Sequence, residues 1–358
     1  MAIGLPNIEI TFKALAASSV ARSARGIVVL IVKDTTSTTF TVKEYKSITD
    51  IETNLFTASN VNYIKQVMAG GPNKVYVVRV GTSGTTAVAD AVAALGSRKY
   101  NYIGFAEGTT TEQSDLATYV KSQESLNKTI KAIVYNVTAP DSQHVINFGN
   151  TNVTYADTGV TVTGEKYIAI LLGLFAGLSL SRSATYLPLD LSAVTQPADL
   201  EAAIAAGKLV LFNDDGVVRI ARAVNSLTSF GPTVPESCAK ILVTEVMDLI
   251  RDDIFSTFKN DYIGKYKNKL DYQMLFIGAV NSYFRELANQ DVLDNEYDNR
   301  AFIDVEAQRN AWLPSKPEAA DWDETKVRSM PYQDNLYLAG QIKIADAMED
   351  MTFAITME

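Results

Sequence analysis

Cysteine and histidine are almost missing from this 358-residue chain, which has one of each, Cys238 and His144. A lone cysteine closes no intrachain disulfide and builds no thiolate metal cluster. A lone histidine excludes every site that needs two imidazoles. Long apolar runs are also lacking. The longest strongly apolar stretch lies between Lys166 and Arg182 and is broken by Gly173 and Gly177, whereas a membrane span needs about 20 apolar residues. Their Gly-x-x-x-Gly spacing occurs in membrane helix dimers, but in so short a run it reads as a buried helix of a soluble fold. The opening Met1–Pro6 has neither the charged start nor the apolar core of a signal peptide. Cytoplasmic synthesis without membrane insertion is therefore expected. Positive charge is the scarcer sign: 32 Lys and Arg stand against 41 Asp and Glu, a net charge of −9. Such a chain has no global attraction for phosphate backbones, which removes nucleic acid as a principal partner.

What is present is the composition of a folded protein, 47% hydrophobic and 20% charged, long enough at about 150 residues per domain for two or three domains. Most of the chain alternates strand and helix signals. Gly26–Val32 is a continuous β-branched run, as in a strand buried on both faces. Asp50–Met68 reads as a helix stopped by Gly70-Gly71-Pro72, followed by a strand over Lys74–Val80. A helix over Ala87–Leu95, a strand over Tyr100–Ala106, a helix from Glu112 to Ser125 and a strand over Ile130–Tyr135 continue the series. That order predicts a mostly parallel sheet with crossover helices. His144–Thr163 reads as a hairpin, Lys166–Leu180 as an apolar helix, and Lys208–Ile220 as a hairpin turning at Asp-Gly. Beyond Pro232 and Pro235 come long helices over Cys238–Phe258 and Leu270–Asn289, a broken acidic stretch to Val305, and an exposed loop over Trp312–Thr325. A strand over Leu336–Ile344 and a short acidic connector, Asp346–Asp350, complete the pattern. No internal repeat is present.

The motifs that could carry chemistry resolve into ordinary structure. Gly70-Gly71-Pro72 lacks the Gly-Lys-Ser/Thr of a phosphate loop, and Pro72 removes a backbone donor. Asp214-Asp215-Gly216 lacks the alternating ligands and closing glutamate of a calcium loop and reads as a turn. His144 has no nucleophile pattern beside it and reads as a chance polar position. Cys238, at a helix entrance, reads as a small buried residue. The adjacent pairs Asp252-Asp253 and Glu349-Asp350 diverge on a helix and read as solvated faces. No catalytic residue, cofactor or metal site is expected. Lys259, Lys265, Lys267 and Lys269, interleaved with Tyr262, Tyr266 and Tyr272, form a basic island that is either a solvated face or a contact for an acidic protein partner.

The two ends are what the motifs leave over. Ile8, Ile10 and Phe12 alternate with Glu9, Thr11 and Lys13, and Met351, Phe353, Ile355 and Met357 alternate with Thr352, Ala354 and Thr356. Both patterns have the two-residue period of a strand. Each is either an edge strand of the chain's own sheet or an arm that completes a sheet in another molecule. Each net backbone hydrogen bond contributes roughly 0.5–1.5 kcal/mol. Each large buried side chain adds about 1.5–3 kcal/mol before entropy is subtracted. One such arm is therefore a substantial tether, and two per molecule would propagate as rings or helical lattices.

The order of segments resembles contractile tail sheath proteins, most closely the short sheaths of Gram-positive myophages, defective prophages and phage-tail-like bacteriocins. The likeness begins with Gly4-Leu5-Pro6-Asn7-Ile8-Glu9-Ile10-Thr11-Phe12-Lys13 and Arg22-Ser23-Ala24-Arg25-Gly26-Ile27-Val28. It recurs at Gly70–Val75, Ala223–Thr228, Asp261–Lys265, Gln333–Leu338 and Ile344–Asp350, and so spans essentially the whole chain. The resemblance implies a structural, non-enzymatic subunit that stacks as hexameric rings around an inner tube and contracts to drive that tube through a target envelope. Its implied partners are copies of itself, the tube protein, and baseplate and tail-terminator proteins, in a virion tail or tail-like particle assembled in the bacterial cytoplasm. The implied architecture is an N-terminal arm (1–22), an outer α/β domain with a mixed sheet (23–235), an inner, tube-facing α+β domain (236–345) and a C-terminal arm (346–358). Ile8, Ile10 and Phe12, and Met351, Phe353, Ile355 and Met357, would donate strands to neighbours. Lys259, Lys265, Lys267 and Lys269 would face the tube, and the segments Ala14–Ala24 and Lys343–Asp350 would serve as hinges. An α/β enzyme with an unrecognised carboxylate site and a surface-lattice or adhesion protein, the latter suggested by the Thr-rich loops, remain the rival classes.

Overall fold

A seven-stranded sheet organises the first part of the chain. The computed structural model describes residues 20, 25–82, 84 and 86–357, and its backbone clusters into two compact units. One comprises 23–250 with 346–358, the other 251–345. The first boundary falls inside a helix, fifteen residues beyond the 235/236 expected from the sequence.

In the larger unit the elements run β1 (Ile27–Lys33), β2 (Val42–Tyr45), α1 (Ala58–Ala69), β3 (Lys74–Val80), α2 (Ala87–Leu95), β4 (Tyr102–Phe105), α3 (Thr110–Ser125), β5 (Lys131–Tyr135) and β6 (Val145–Phe148). There follow β7 (Asn152–Tyr155), β8 (Thr161–Thr163), α4 (Gly164–Gly177), β9 (Leu191–Val194), α5 (Leu200–Ala205), β10 (Lys208–Leu209), β11 (Leu211–Asp214) and β12 (Val217–Ile220). The sheet order is β10-β6-β5-β4-β1-β3-β2, with β2 antiparallel and the rest parallel. β1 is buried along nearly its whole length, as its β-branched composition requires. One apolar layer on the sheet includes α1 and α4, and the opposite layer includes α2 and α3.

Several boundaries differ from the sequence expectation. The helix expected from Asp50 begins at Ala58, because Thr57 caps it and the preceding residues form two short 3-10 turns, with Asp50 closing a capping box on Ser47. Of the hairpin expected over His144–Thr163, only β7–β8 is one; Val145–Phe148 enters the main sheet as β6. Lys208–Leu209 likewise joins that sheet, and the second hairpin is β11–β12. Its turn is Asp215-Gly216, both with positive φ, 50° and 91°, as a tight Asp-Gly turn requires.

The second unit contains the end of α6 (Ile241–Thr257), α7 (Leu270–Asn289), β13 (Arg300–Ile303), α8 (Val305–Trp312), α9 (Glu324–Ser329) and β14 (Leu338–Gln341), with β13 and β14 paired antiparallel. The segment expected as an exposed loop, Trp312–Thr325, is instead folded. Ala319, Trp322 and Val327 are buried together, the Trp312 indole N–H donates to the Met330 carbonyl at 2.8 Å, and Lys316 Nζ lies 4.9 Å from the Trp312 ring centroid. Pro314 and Pro317 break regular structure without preventing a small apolar cluster.

The glycines of α4 allow its closest contact. A Cβ at Gly177 would sit 1.8 Å from the Gly70 carbonyl oxygen, and one at Gly173 would sit 2.3 Å from the Val67 carbonyl oxygen. The small-residue spacing thus brings α4 against α1 inside the apolar core. Gly177→Val is expected to destabilise the protein by roughly 3 kcal/mol through overpacking against backbone that cannot yield. Chemical denaturation giving a value within the error of the parent would refute this packing.

Candidate assembly interface

In open parallel sheets, ligands sit beyond the carboxyl ends of the strands where the strand order reverses. Here that point lies between β1 and β4, and the chain's own side chains occupy it. Lys33 Nζ is 2.6 Å from Glu112 Oε2, and the same carboxylate accepts from the Thr109 N–H at 2.7 Å. Thr109 and Glu112 form a capping box, so the N-cap amide of α3 is taken by a carboxylate of its own helix and the Glu112 amide by the Thr109 hydroxyl. Asp34 accepts from Thr36 N and Thr57 N at 2.8 Å and from Asn60 Nδ2 at 2.7 Å. Burial opposes its charge, but these bonds outweigh burial and hold its carboxyl below the usual range. Among the described residues no group of three or more Asp, Glu, His or Cys could hold a metal ion, and no helix is long and apolar enough to cross a membrane.

The dominant polar feature is a buried ionic cluster that sequence inspection missed. Lys131, at the start of β5, has a side chain only 3% exposed, with Glu245 Oε1 at 3.0 Å and Asp248 Oδ2 at 2.5 Å. The two carboxylates lie three residues apart on α6, hence on one helical face. Tyr102 OH donates to Glu245 Oε1 at 2.5 Å, and Arg25 Nη2 lies 2.7 Å from Glu245 Oε2. His144 is no chance polar position: its Nε2 is 3.0 Å from Asp248 Oδ1, its Nδ1 faces Glu124 Oε2 at 3.5 Å, and Ser142 Oγ also donates to Glu124. Desolvation opposes charge at Glu245, Lys131 and His144, yet their partners prevail. The Glu245 carboxyl is driven down to about 2 by Lys131 and Arg25, while Lys131 and His144 are both raised. The available signal was an acidic i, i+3 pair within the apolar stripe of a long helix. Asp253, expected in solvent, is also buried and accepts from Tyr283 OH at 2.7 Å.

The C-terminal segment divides sharply in two. Glu349, expected on a solvated face, has a side chain only 7% exposed. Arg222 Nε lies 3.3 Å from Glu349 Oε2 and Arg222 Nη2 lies 2.5 Å from Asp350 Oδ2, while Lys240 Nζ reaches Asp346 Oδ2 at 2.6 Å. Ser183 Oγ donates to Glu349 Oε1 at 2.8 Å. The part of the expected hinge after Ala345 is thus held by salt bridges. Beyond Asp350 no residue through Met357 is in a strand, and Met351, Phe353, Ile355 and Met357 are 72–91% exposed. The N-terminal candidates Ile8, Ile10 and Phe12 lie outside the described residues. Lys259, Lys265, Lys267 and Lys269 are all exposed, around a ladder of rings in which Tyr266 lies 5.3 Å from Tyr262 and 5.1 Å from Tyr272.

The β13–β14 ribbon has unequal edges. On β13, the Asn281 side-chain amide from α7 accepts from the Ala301 N–H at 2.6 Å and donates to the Ala301 carbonyl at 3.2 Å, which plugs the outer edge there. On the other strand Lys343 and Ala345 point back into the molecule, with the Lys343 carbonyl accepting from Asp294 N at 2.8 Å and Ala345 N donating to Val292 O at 3.1 Å. Strand alternation therefore turns the backbone of Leu338, Gly340, Ile342 and Ile344 outward, along an edge with no paired strand among the described residues.

The carboxyl depressed to about 2 in Glu245 contributes stability that is complete above its ordinary value of 4.5 and drains away as pH falls from there toward 2. His144, raised above 6.5, contributes below that pH and loses its contribution as pH rises through its folded value. Urea unfolding of the full chain across pH is expected to show both losses, with His144→Gln removing the alkaline one alone. Lys131→Met, which removes the ammonium shared by two buried carboxylates, is expected to cost about 3–5 kcal/mol.

Comparison with known proteins places the chain in a family. Residues 81–226 match the model of the phage tail sheath protein central domain, and residues 233–358 match that of the phage tail sheath C-terminal domain. The tail sheath protein of Clostridium phage phiCD119 is 33% identical over 99% of both chains. The fold is shared with the sheath tail protein of Desulfitobacterium hafniense, at 17% identity and a TM-score of 0.70 over 83% of this chain and 94% of that one. It is shared also with the helical sheath of the anti-feeding prophage in its contracted state, at 14% identity and a TM-score of 0.68 over 100% and 99%. These relatives are structural proteins, which argues against an enzyme, and the chain belongs to the phage tail sheath protein family.

Proposed function

We propose that this sheath subunit stacks as hexameric rings around an inner tube, linked to neighbouring copies by its terminal strands, and contracts to drive the tube through a target cell envelope. The observation that carries the reading is the pairing of two incomplete features. One is a seven-residue segment, 351–357, with strand alternation and every large apolar side chain in solvent. The other is a two-stranded ribbon with one open edge running from Leu338 to Ile344, also seven residues. A two-stranded ribbon is marginal alone, and a long open edge is a template for pairing. Because Asn281 occupies the β13 side, the β14 side is the acceptor in this reading. Ile8, Ile10 and Phe12 are the corresponding N-terminal donors, and 236–345 is the tube-facing domain, with Lys259, Lys265, Lys267 and Lys269 toward the tube.

Contraction then needs no nucleotide, since rigid bodies repack while backbone ladders keep the lattice connected. Tube, baseplate and terminator proteins are the further partners, within a tail assembled in the host cytoplasm. Deletion of 351–358 is expected to abolish the hollow helical sleeves that the full chain forms by electron microscopy while leaving the monomer folded; normal sleeves from the deletion would overturn strand donation. Lys265→Glu with Lys267→Glu is expected to lower polymerisation around tubes several-fold, and unchanged polymerisation would remove the tube assignment.

A further inference from the structure

The acidic segment before the free arm is received by groups that are already in place. Arg222 and Lys240 lie on adjoining extended segments, where Val224 and Lys240 form a backbone bridge and Ile241 N donates to the Ala223 carbonyl at 3.0 Å. Thr185 Oγ1 accepts from Ala223 N at 3.0 Å and lies 3.0 Å from Ser183 Oγ, whose proton goes to Glu349. Two cations and two hydroxyls are thereby fixed around one carboxylate, Glu349. Burial opposes that carboxylate's charge, but hydrogen bonds from Thr185 and Ser183 and the two cations keep it ionised. Single exposed ion pairs hold little. Here, however, Glu349 is shared by Arg222 and Lys240, whose other contacts reach Asp350 on one side and Asp346 on the other. The next large side chain, Met351, is 88% exposed, so the restraint ends where the strand pattern begins.

We propose that Arg222 and Lys240 clamp Asp346, Glu349 and Asp350 so as to fix the origin of the C-terminal arm on the chain's own α/β unit, so that a second copy of this chain meets an arm of eight residues, 351–358. The inference rests on the strand-donation reading and adds positioning residues to it. Eight residues extend roughly 26 Å. Releasing 346–350 would lengthen the arm from eight residues to thirteen, and effective concentration falls roughly as the −3/2 power of length, about twofold.

The test uses the full chain. A spin label is placed at Met348→Cys or, separately, at Phe353→Cys, since the native Cys238 is buried. In dilute monomer at low salt the label at 348 is expected to be clearly less mobile than that at 353. Arg222→Glu with Lys240→Glu should raise the mobility at 348 to that at 353, and about 1 M NaCl should raise it in the same direction. The same pair should raise the critical concentration for sleeve formation at least about twofold. Adding Asp346→Lys and Glu349→Lys to it should restore both readouts. Equal mobility at the two positions in the parent, or a charge-swapped variant that assembles no better than the double variant, overturns the clamp. If deletion of 351–358 abolishes sleeves while the double variant assembles as the parent does, the clamp falls and strand donation stands. Sleeves that survive the deletion overturn strand donation itself, and the label mobilities still decide whether 346–350 is clamped.

Discussion

A lysine ammonium without water is the constraint on which the α/β unit turns. Removing Lys131 from solvent costs several kcal/mol, and only carboxylates in direct contact can offset that. Both come from one turn of α6, as Glu245 and Asp248. Apolar packing alone tolerates small sliding and rotation of a helix. A buried charge with two fixed acceptors does not, because a displacement of an ångström or two leaves an ion uncompensated. Tyr102, Arg25 and His144 add three further restraints from separate segments. The first turns of α6 are thereby tied in register and rotation to β4, β5 and the residue before β6.

The same unit illustrates how a fold can be kept while its customary site is given up. The strand order around β1 creates the crevice where related architectures bind ligands, yet Lys33, Thr109 and Glu112 have one another as partners, and Asp34 is held by Thr36, Thr57 and Asn60. Such mutual satisfaction stabilises the loop ends and leaves no converging set of free donors. Fold alone never specifies function.

Exposed apolar side chains and unpaired backbone among the described residues lie instead at a sheet edge and a chain end. The β13–β14 ribbon is plugged on one side by an asparagine that mimics a neighbouring strand, and it is bare on the other. Directional plugging of this sort is one way a protein limits promiscuous edge pairing. The C-terminal segment pairs a charged, anchored half with an apolar, free half within twelve residues. The α/β unit is held together by burial and buried charge, while 351–357 keeps its large apolar side chains exposed.

The sequence by itself determined the elements whose signals are local. The β-branched run of β1, the Asp-Gly turn between β11 and β12 and the α/β alternation follow from backbone preferences and side-chain periodicity. The whole-chain likeness determined the family. Only the tertiary structure decided where residues far apart in sequence meet. His144 read as incidental and Glu349 as solvated because their partners, Asp248 and Arg222, lie more than a hundred residues away. Short segments such as β6 and β10 carry too few residues for periodicity to say which sheet they join, and folding settled it by the edge that was open. The identity of the plugged and the bare edge of the ribbon was likewise a matter of which backbone groups α7 could reach.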